Sequence, residues 1–254
     1  RPPTTPSGSS PKNANQDMTA FFITGTDTEI GKTFVTCTLL HAARARGLCA
    51  LGMKPVAAGA EMVNGEFLNE DAARLRAAGS FDPGLALLNP YCLNSPIAPH
   101  IAAAEEGVKI EPGKIRQAFD ALVAQTDVVF VEGVGGFRVP LGDDYDTADL
   151  ARDMGLPVIL VVGMRLGCIN HALLSAEAIA ARGLRLVGWV ANQVDPAMLR
   201  FDENLDALVR RLPAPLLGVV RYQPDGDAAA AAAGLQPGLD AQLLDGASRA
   251  TCVG

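Results

Sequence analysis

The run Gly25-Thr26-Asp27-Thr28-Glu29-Ile30-Gly31-Lys32-Thr33 constrains this chain more than any other feature. It follows the strand-like Phe21 to Thr24 and opens a stretch with Phe34, Val35, Leu39 and Leu40 at helical spacing, stopped by Gly47. A strand, a glycine-bearing loop and a helix in that order turn successive backbone N–H groups and the positive end of the helix toward an anion. Lys32 adds a point charge suited to β- and γ-phosphates, and Thr33 offers a hydroxyl to magnesium. The spacing departs from the strict pattern: Gly25 stands one residue earlier than the usual first glycine, and Thr26 takes the expected position. A glycine-rich helix start with an exposed Lys–Thr pair is the alternative that needs no ligand, and the flanking strand and helix weigh against it. A nucleoside triphosphate with magnesium is the expected ligand.

The rest of the chain alternates short apolar runs with amphipathic stretches, the pattern of a doubly wound, mainly parallel α/β sheet flanked by helices. Strands are expected at 21–24, 49–56, 128–131, 157–162, 186–190 and 216–220, and helices at 31–46, 70–78, 115–125, 170–181 and 202–211. The proline-rich segment 80–113 is read as a short strand and loops over the active face. Residues 1–17, rich in Pro, Ser and Asn, read as a flexible extension, and 18–225 as a single domain opened by Met18. The tail 226–254 contains a run of six alanines, Ala228 to Ala233, for which helix and disorder both stay open. The apolar run Val128 to Val131 leads into Glu132-Gly133. An acid at the carboxyl end of a buried parallel strand faces the ligand crevice of an open α/β sheet. There it binds magnesium, directly or through water, or is an ordinary strand-end carboxylate.

A formal net charge of −7 argues against a broad nucleic-acid surface, which needs a basic face. No apolar stretch reaches membrane-spanning length without a charge or breaker, so neither nucleic acid nor membrane is expected as a partner. Five cysteines without paired metal-ligand spacing point to reduced, mostly buried thiols in a cytoplasmic protein.

Several separate motifs together resemble the dethiobiotin synthetase family. They are the loop at 25–33, Gly-Met-Lys-Pro-Val-Ala-Ala-Gly at 52–59, Asn-Pro-Tyr at 89–91, Pro-His at 99–100 and Val-Glu-Gly-Val-Gly-Gly at 131–136. Leu-Gly-Cys-Ile-Asn-His at 166–171, Gly-Trp-Val-Ala-Asn at 188–192 and Pro-Ala-Pro-Leu-Leu-Gly at 213–218 complete the set. The resemblance implies an ATP-dependent closure of a cyclic urea. One amine of 7,8-diaminononanoate takes up carbon dioxide as a carbamate, whose oxygen attacks the γ-phosphate to give a carbamic–phosphoric anhydride. The second amine then displaces phosphate and yields dethiobiotin.

By the same resemblance, Lys54 matches the catalytic lysine, Lys32 covers the transferred phosphate, and Thr28 lies near the diamine. Glu29, Ile30, Gly31, Lys32, Thr33 and Phe34 hold the nucleotide phosphates together with Glu132, Gly133 and Gly135. Thr33, Asp71 and Glu132 surround Mg2+, the Asp71 role resting on the resemblance almost alone. Asn192, Arg221 and Tyr222 fall at adenine-reading positions. Gly167, Cys168, Ile169 and Asn170 precede a helix whose N–H groups suit a carboxylate; in the family such a segment reaches the substrate's tail across a homodimer interface. Cys168 is then a backbone contributor and not a nucleophile, and His171 is left out of catalysis. Three positions depart from the family pattern. Ala58 replaces a frequent Ser or Thr near the substrate, Ala98 replaces a serine before Pro-His, and Arg221 replaces a proline. A hydrogen bond at Ala58 is therefore lost or falls to water or another group.

Three other readings stay open on the residues alone. An amide-forming ligase of the same fold would usually carry a glutaminase domain, for which there is no nucleophile motif. A nucleotide-switch ATPase that partitions DNA or positions proteins on membranes typically has an extra early lysine where this chain has Thr26 and Asp27. A paralogue that binds ATP without diamine chemistry is kept open by Ala58 and Ala98.

Overall fold

The computed structural model describes residues 19–63, 65–223 and 226–235. The expected extension 1–17, Met18 and most of the tail lie outside the described residues.

β1 (Thr19–Gly25) leads through the glycine-bearing loop into α1 (Lys32–Ala45), then β2 (Ala50–Met53). Next come three short strands and a helix: β3 (Val56–Ala58), the antiparallel pair β4 (Ala60–Val63) and β5 (Glu66–Asn69), and α2 (Glu70–Ala78). The proline-rich stretch holds α3 (Leu85–Leu88), β6 (Tyr91–Leu93) and α4 (Pro99–Glu105), and α5 (Pro112–Val123) follows. The second half is regular: β7 (Val128–Gly136), α6 (Thr147–Met154), β8 (Val158–Met164), α7 (Cys168–Ala181), β9 (Leu186–Gln193), α8 (Phe201–Val209) and β10 (Leu216–Val220). A final short helix, α9 (Ala228–Ala231), ends in a 3-10 turn at Ala232–Gly234.

Six strands form one parallel sheet in the order β10-β9-β8-β1-β7-β2, as the alternating pattern predicts. Side chains alternate between its faces. Phe21, Ile23, Val128, Phe130, Ile159 and Val161 pack with Leu39 and Leu40 of α1. Phe22, Val129 and Val131 pack on the opposite face with Ile115, Phe119 and Leu122 of α5. Both faces are covered, which is why the strands read as continuous apolar runs. Ala231, Ala232 and Leu235 join the α1 side of the core, so the described part of the alanine run is helical and packed. Among the described residues, no helix is long and apolar enough to cross a membrane.

Some boundaries differ from expectation for local reasons. The strand expected at 49–56 is two strands, broken at Lys54-Pro55, where proline has no N–H to give to the sheet. β7 runs five residues past Val131, so Glu132 lies within it. α6 is an addition to the expected helices; the Asp146 side chain accepts from Asp149 N–H while Asp149 answers to the Asp146 N–H, a capping box. α7 starts at Cys168, so Gly167 is its N-cap and Cys168, Ile169 and Asn170 form its first turn, where a segment preceding a helix was expected. Cys37, Cys92 and Cys168 are free thiols as expected, whereas Cys49 is disulfide-bonded, which corrects the reading of the cysteines as reduced throughout.

Candidate active site

The carboxyl ends of β1, β2, β7 and β9 converge where an open α/β sheet binds its ligands. The phosphate loop leaves β1 and is pinned to β8: Thr26 N–H donates to the Val161 carbonyl at 3.0 Å, and Gly163 N–H to Thr26 Oγ1 at 3.3 Å. The hydroxyl at the position of the usual glycine thus serves as an anchor. Two residues take left-handed backbone, Glu29 at φ 56° and Gly31 at φ 74°. Strain of this kind at a non-glycine residue collects at functional loops. Gly31 has a second reason to lack a side chain, because a Cβ would land on Asn192 Nδ2. That amide donates to the Ile30 carbonyl at 2.8 Å and ties the loop to the end of β9. Gly31 caps α1, whose first-turn N–H groups have no intrahelical acceptor and face the cleft. Lys32 Nζ donates to the Asp27 carbonyl at 3.0 Å. Burial, and then the nearby Lys54 charge, push the Lys32 ammonium down to about 8.

Lys54 stands where the chain leaves β2. Its backbone is held on both sides, N–H to the Leu88 carbonyl at 2.7 Å and carbonyl from Asn89 Nδ2 at 2.7 Å. Its ammonium lies 2.7 Å from Glu132 Oε1, 3.0 Å from Asp71 Oδ2 and 3.3 Å from the Gly133 carbonyl. Thr33 Oγ1 donates to the same Glu132 oxygen at 2.7 Å. Burial alone would lower the Lys54 ammonium, but Glu132 and Asp71 outweigh it and hold it above the ordinary lysine value. Burial would likewise raise Asp71; Lys54 and the Thr33 hydroxyl outweigh it, and its carboxyl is held low. The two carboxylates thus favour Lys54 as a cation. Glu132 is fully buried, and its Oε2 is buried without a partner.

An open cleft of about 700 Å³ lies over these groups. Of the residues expected from sequence, Thr28, Glu29, Gly31, Lys32, Thr33, Phe34, Lys54, Ala58, Asp71 and Gly135 line it. Glu132 and Gly133 form its floor through Lys54, and Ile30 is buried behind the loop. Arg221 turns over the Phe201 ring at 4.5 Å and lies 3.8 Å from Asp202, while Tyr222 is half-exposed with its N–H toward Gln193 Oε1. Gly167, Cys168, Ile169 and Asn170 line no part of this cleft. Burial raises the Cys168 thiol, which agrees with its exclusion as a nucleophile.

Sequence reasoning missed Arg74, Pro96, Ile97, Pro99, Val134 and Val139, which complete the wall. Arg74 sits one helical turn after Asp71, and the Pro96-Ile97-Ala98-Pro99 run is a visible sign of a rigid loop. Among the described residues, no group of three or more His, Cys, Asp or Glu side chains forms a metal cage.

A family model described as an AAA domain matches residues 19–230. The "ATP-dependent dethiobiotin synthetase BioD" of Aromatoleum aromaticum is 74% identical over 217 residues, covering 85% of this chain and 96% of that protein. The chain belongs to the dethiobiotin synthetase family. Its relative of the same name in Xanthomonas oryzae pv. oryzae is 55% identical over 217 residues, covering 85% of this chain and 97% of that protein. Solved structures carry the fold further than the synthetase family. The MinC:MinD cell division protein complex of Aquifex aeolicus gives a TM-score of 0.56 at 14% identity, covering 92% of this chain and 98% of that one. A ParA family ATPase from Chlorobium tepidum gives 0.53 at 10% identity, covering 88% and 92%. At such identities the shared feature is the P-loop sheet alone.

Proposed function

We propose that this chain is an ATP- and magnesium-dependent dethiobiotin synthetase. It carboxylates 7,8-diaminononanoate with carbon dioxide and closes the cyclic urea through a carbamic–phosphoric anhydride, releasing dethiobiotin, ADP and phosphate. The observation that carries the reading is the Lys54 ammonium, held beside Glu132 and Asp71 in a cleft whose facing wall is the phosphate loop. The carbamate and the γ-phosphate are both anions, and their approach requires fixed cations between them. Lys54 and Lys32 supply two, close enough that the Lys54 charge disfavours that of Lys32. Lys54 steadies the carbamate and the charge that develops on phosphoryl transfer, while Lys32 and the first-turn N–H groups of α1 hold the phosphates.

Thr33, Asp71 and Glu132 present the hard oxygens that magnesium prefers, and the unpartnered Oε2 of Glu132 leaves one of them with spare capacity. These residues would hold the ion, which when bound neutralises phosphate charge and orients the triphosphate. Asn192, Arg221 and Tyr222 are assigned to the adenine. The apolar wall of Pro96, Ile97 and Ala98 beside Ala58 suits the aliphatic chain of the diamine, which needs no side-chain hydroxyl there. The first turn of α7 binds the substrate carboxylate of the neighbouring subunit in a homodimer, which accounts for its place outside this chain's own cleft. The enzyme is assigned to the cytoplasm.

The test is incubation with ATP, magnesium, bicarbonate and 7,8-diaminononanoate, followed by mass spectrometry. Dethiobiotin requiring all four, with matching ADP, is the expected result, and Lys54→Ala should abolish it while ATP still binds. ATP binding without product in the native protein would discard the synthetase reading.

A further inference from the structure

We propose that Lys54 makes divalent-cation binding conditional on the triphosphate, by neutralising in advance the two carboxylates that the cation needs. The inference rests on the magnesium reading above and goes beyond it. The Lys54 ammonium is within hydrogen-bond distance of Glu132 Oε1, Asp71 Oδ2 and the Gly133 carbonyl. The two carboxylates, with the Thr33 hydroxyl that already donates to Glu132 Oε1, are the groups a cation here would use, and Lys54 already holds an oxygen of each.

The charge count decides the order of events. Glu132 and Asp71 bring two negative charges, Lys54 and Lys32 bring two positive ones, and Glu29 and Arg74 of the cleft lining offset each other, so the site is balanced by its own side chains. A free divalent ion would add two positive charges in contact with a buried ammonium, where repulsion is screened far less than in water. A triphosphate carries enough negative charge to reverse that balance. The metal then enters with ATP, and Lys54 yields part of its hold on Glu132 and Asp71. An ammonium loosened at that moment is free to meet the carbamate, so one residue's exchange of partners links metal arrival to readiness for chemistry.

Mn2+ alone is the probe, its free concentration read by electron paramagnetic resonance. With the Mn2+ held by the analogue alone subtracted, the native protein should bind Mn2+ weakly without nucleotide and about tenfold or more tightly with a non-hydrolysable ATP analogue. Lys54→Met should bind Mn2+ without nucleotide about tenfold or more tightly than the native protein, and Lys54→Arg, which keeps the charge, should not. Lys54→Met/Glu132→Gln should lose the gain. Native protein that binds Mn2+ equally well with and without the analogue would overturn the proposal whether or not any variant folds. So would a folded Lys54→Met with unchanged Mn2+ affinity. If Mn2+ binding in the presence of the analogue is indifferent to Glu132→Gln and Asp71→Asn, the magnesium reading itself has failed, a result distinct from failure of the gate.

Discussion

Gly163→Ala tests whether the phosphate loop is positioned by packing from below. Gly163 lies in β8, paired in register with Asn192 of β9, directly beneath Ile30. A Cβ there would stand 2.5 Å from Ile30 Cγ2 and 2.7 Å from its Cβ. Carbon atoms prefer about 3.5–4.0 Å, so Ile30 would have to retreat by roughly 1 Å. It has little room, being 1% exposed and branched at Cβ, which leaves few rotamers. The added methyl could contribute at most about 0.8 kcal/mol of burial, against about 1–3 kcal/mol for overpacking. A net loss of up to about 2 kcal/mol is expected in urea unfolding. The same movement carries the Ile30 carbonyl away from Asn192 and tilts the N-cap at Gly31. Losing about 1.4 kcal/mol of phosphate contact would weaken ATP about tenfold in a calorimetric titration. Gly142→Ala is the control, since a Cβ at that position would meet nothing within 4 Å and the backbone there is not left-handed. It should change stability by no more than about 0.5 kcal/mol. A Gly163→Ala protein with native unfolding midpoint and native ATP affinity would refute the packing argument.

Asn69 caps α2, accepting from Asp71 N–H at 3.0 Å while its amide donates to the Gly59 carbonyl at 2.7 Å. Asn69→Ala should lower stability by about 1–2 kcal/mol and, because Asp71 starts that helix, should also weaken magnesium-dependent ATP binding. Equal ATP affinity in the two proteins would separate the cap from the site. Asp146 tests a pH dependence. Burial would raise its carboxyl, but the Asp149 N–H and then Arg138 and Arg182 outweigh that and lower it. A carboxyl lowered on folding stabilises the protein above its unfolded value, about 3.9, and that contribution is lost as pH falls through the lower folded value. Asp146→Asn should therefore be less stable at neutral pH, by up to about 1 kcal/mol, with the gap to the native protein closing below about pH 4. A constant gap between pH 7 and pH 3 in chemical denaturation would count against this assignment.

The parts of the fold legible in sequence are those where local pattern and tertiary role coincide. Phe21 to Thr24 and Val128 to Val131 are buried on both faces, so they read as strands without further information. α6 is hidden because its cap, Asp146, follows Asp143, Asp144 and Tyr145, a polar run that looks like open loop; the Asp146–Asp149 box is the one local sign of it. The β4–β5 pair escapes because its residues are largely exposed and carry little hydrophobic signal, although Asn64-Gly65 is a hairpin dipeptide. In the site, Lys32 and Thr33 can be placed from neighbouring residues alone. Lys54 and Asp71 cannot: Lys54 meets Glu132 across 78 residues of chain and Asp71 joins the same ammonium, and only the family resemblance links the three. No local periodicity records a contact of that kind.

The division of labour within the sheet explains why fold and reaction are legible to such different degrees. The apolar residues of β1, β7 and β8 fix a rigid platform, and that platform is shared with proteins at 10–14% identity. Two of the groups that distinguish this site, Lys54 and Asn192, stand at or just beyond strand ends, and the third, Glu132, stands at an irregularity inside a strand. Lys54 follows β2, Glu132 pairs with Ile23 just before the β1–β7 register shifts, and Asn192 closes β9 against the phosphate loop. A strand end is held in place by the sheet yet is not needed to build it, so its residue can change without loss of the fold. What the end of β2 adds to that platform here is a lysine already paired with two carboxylates.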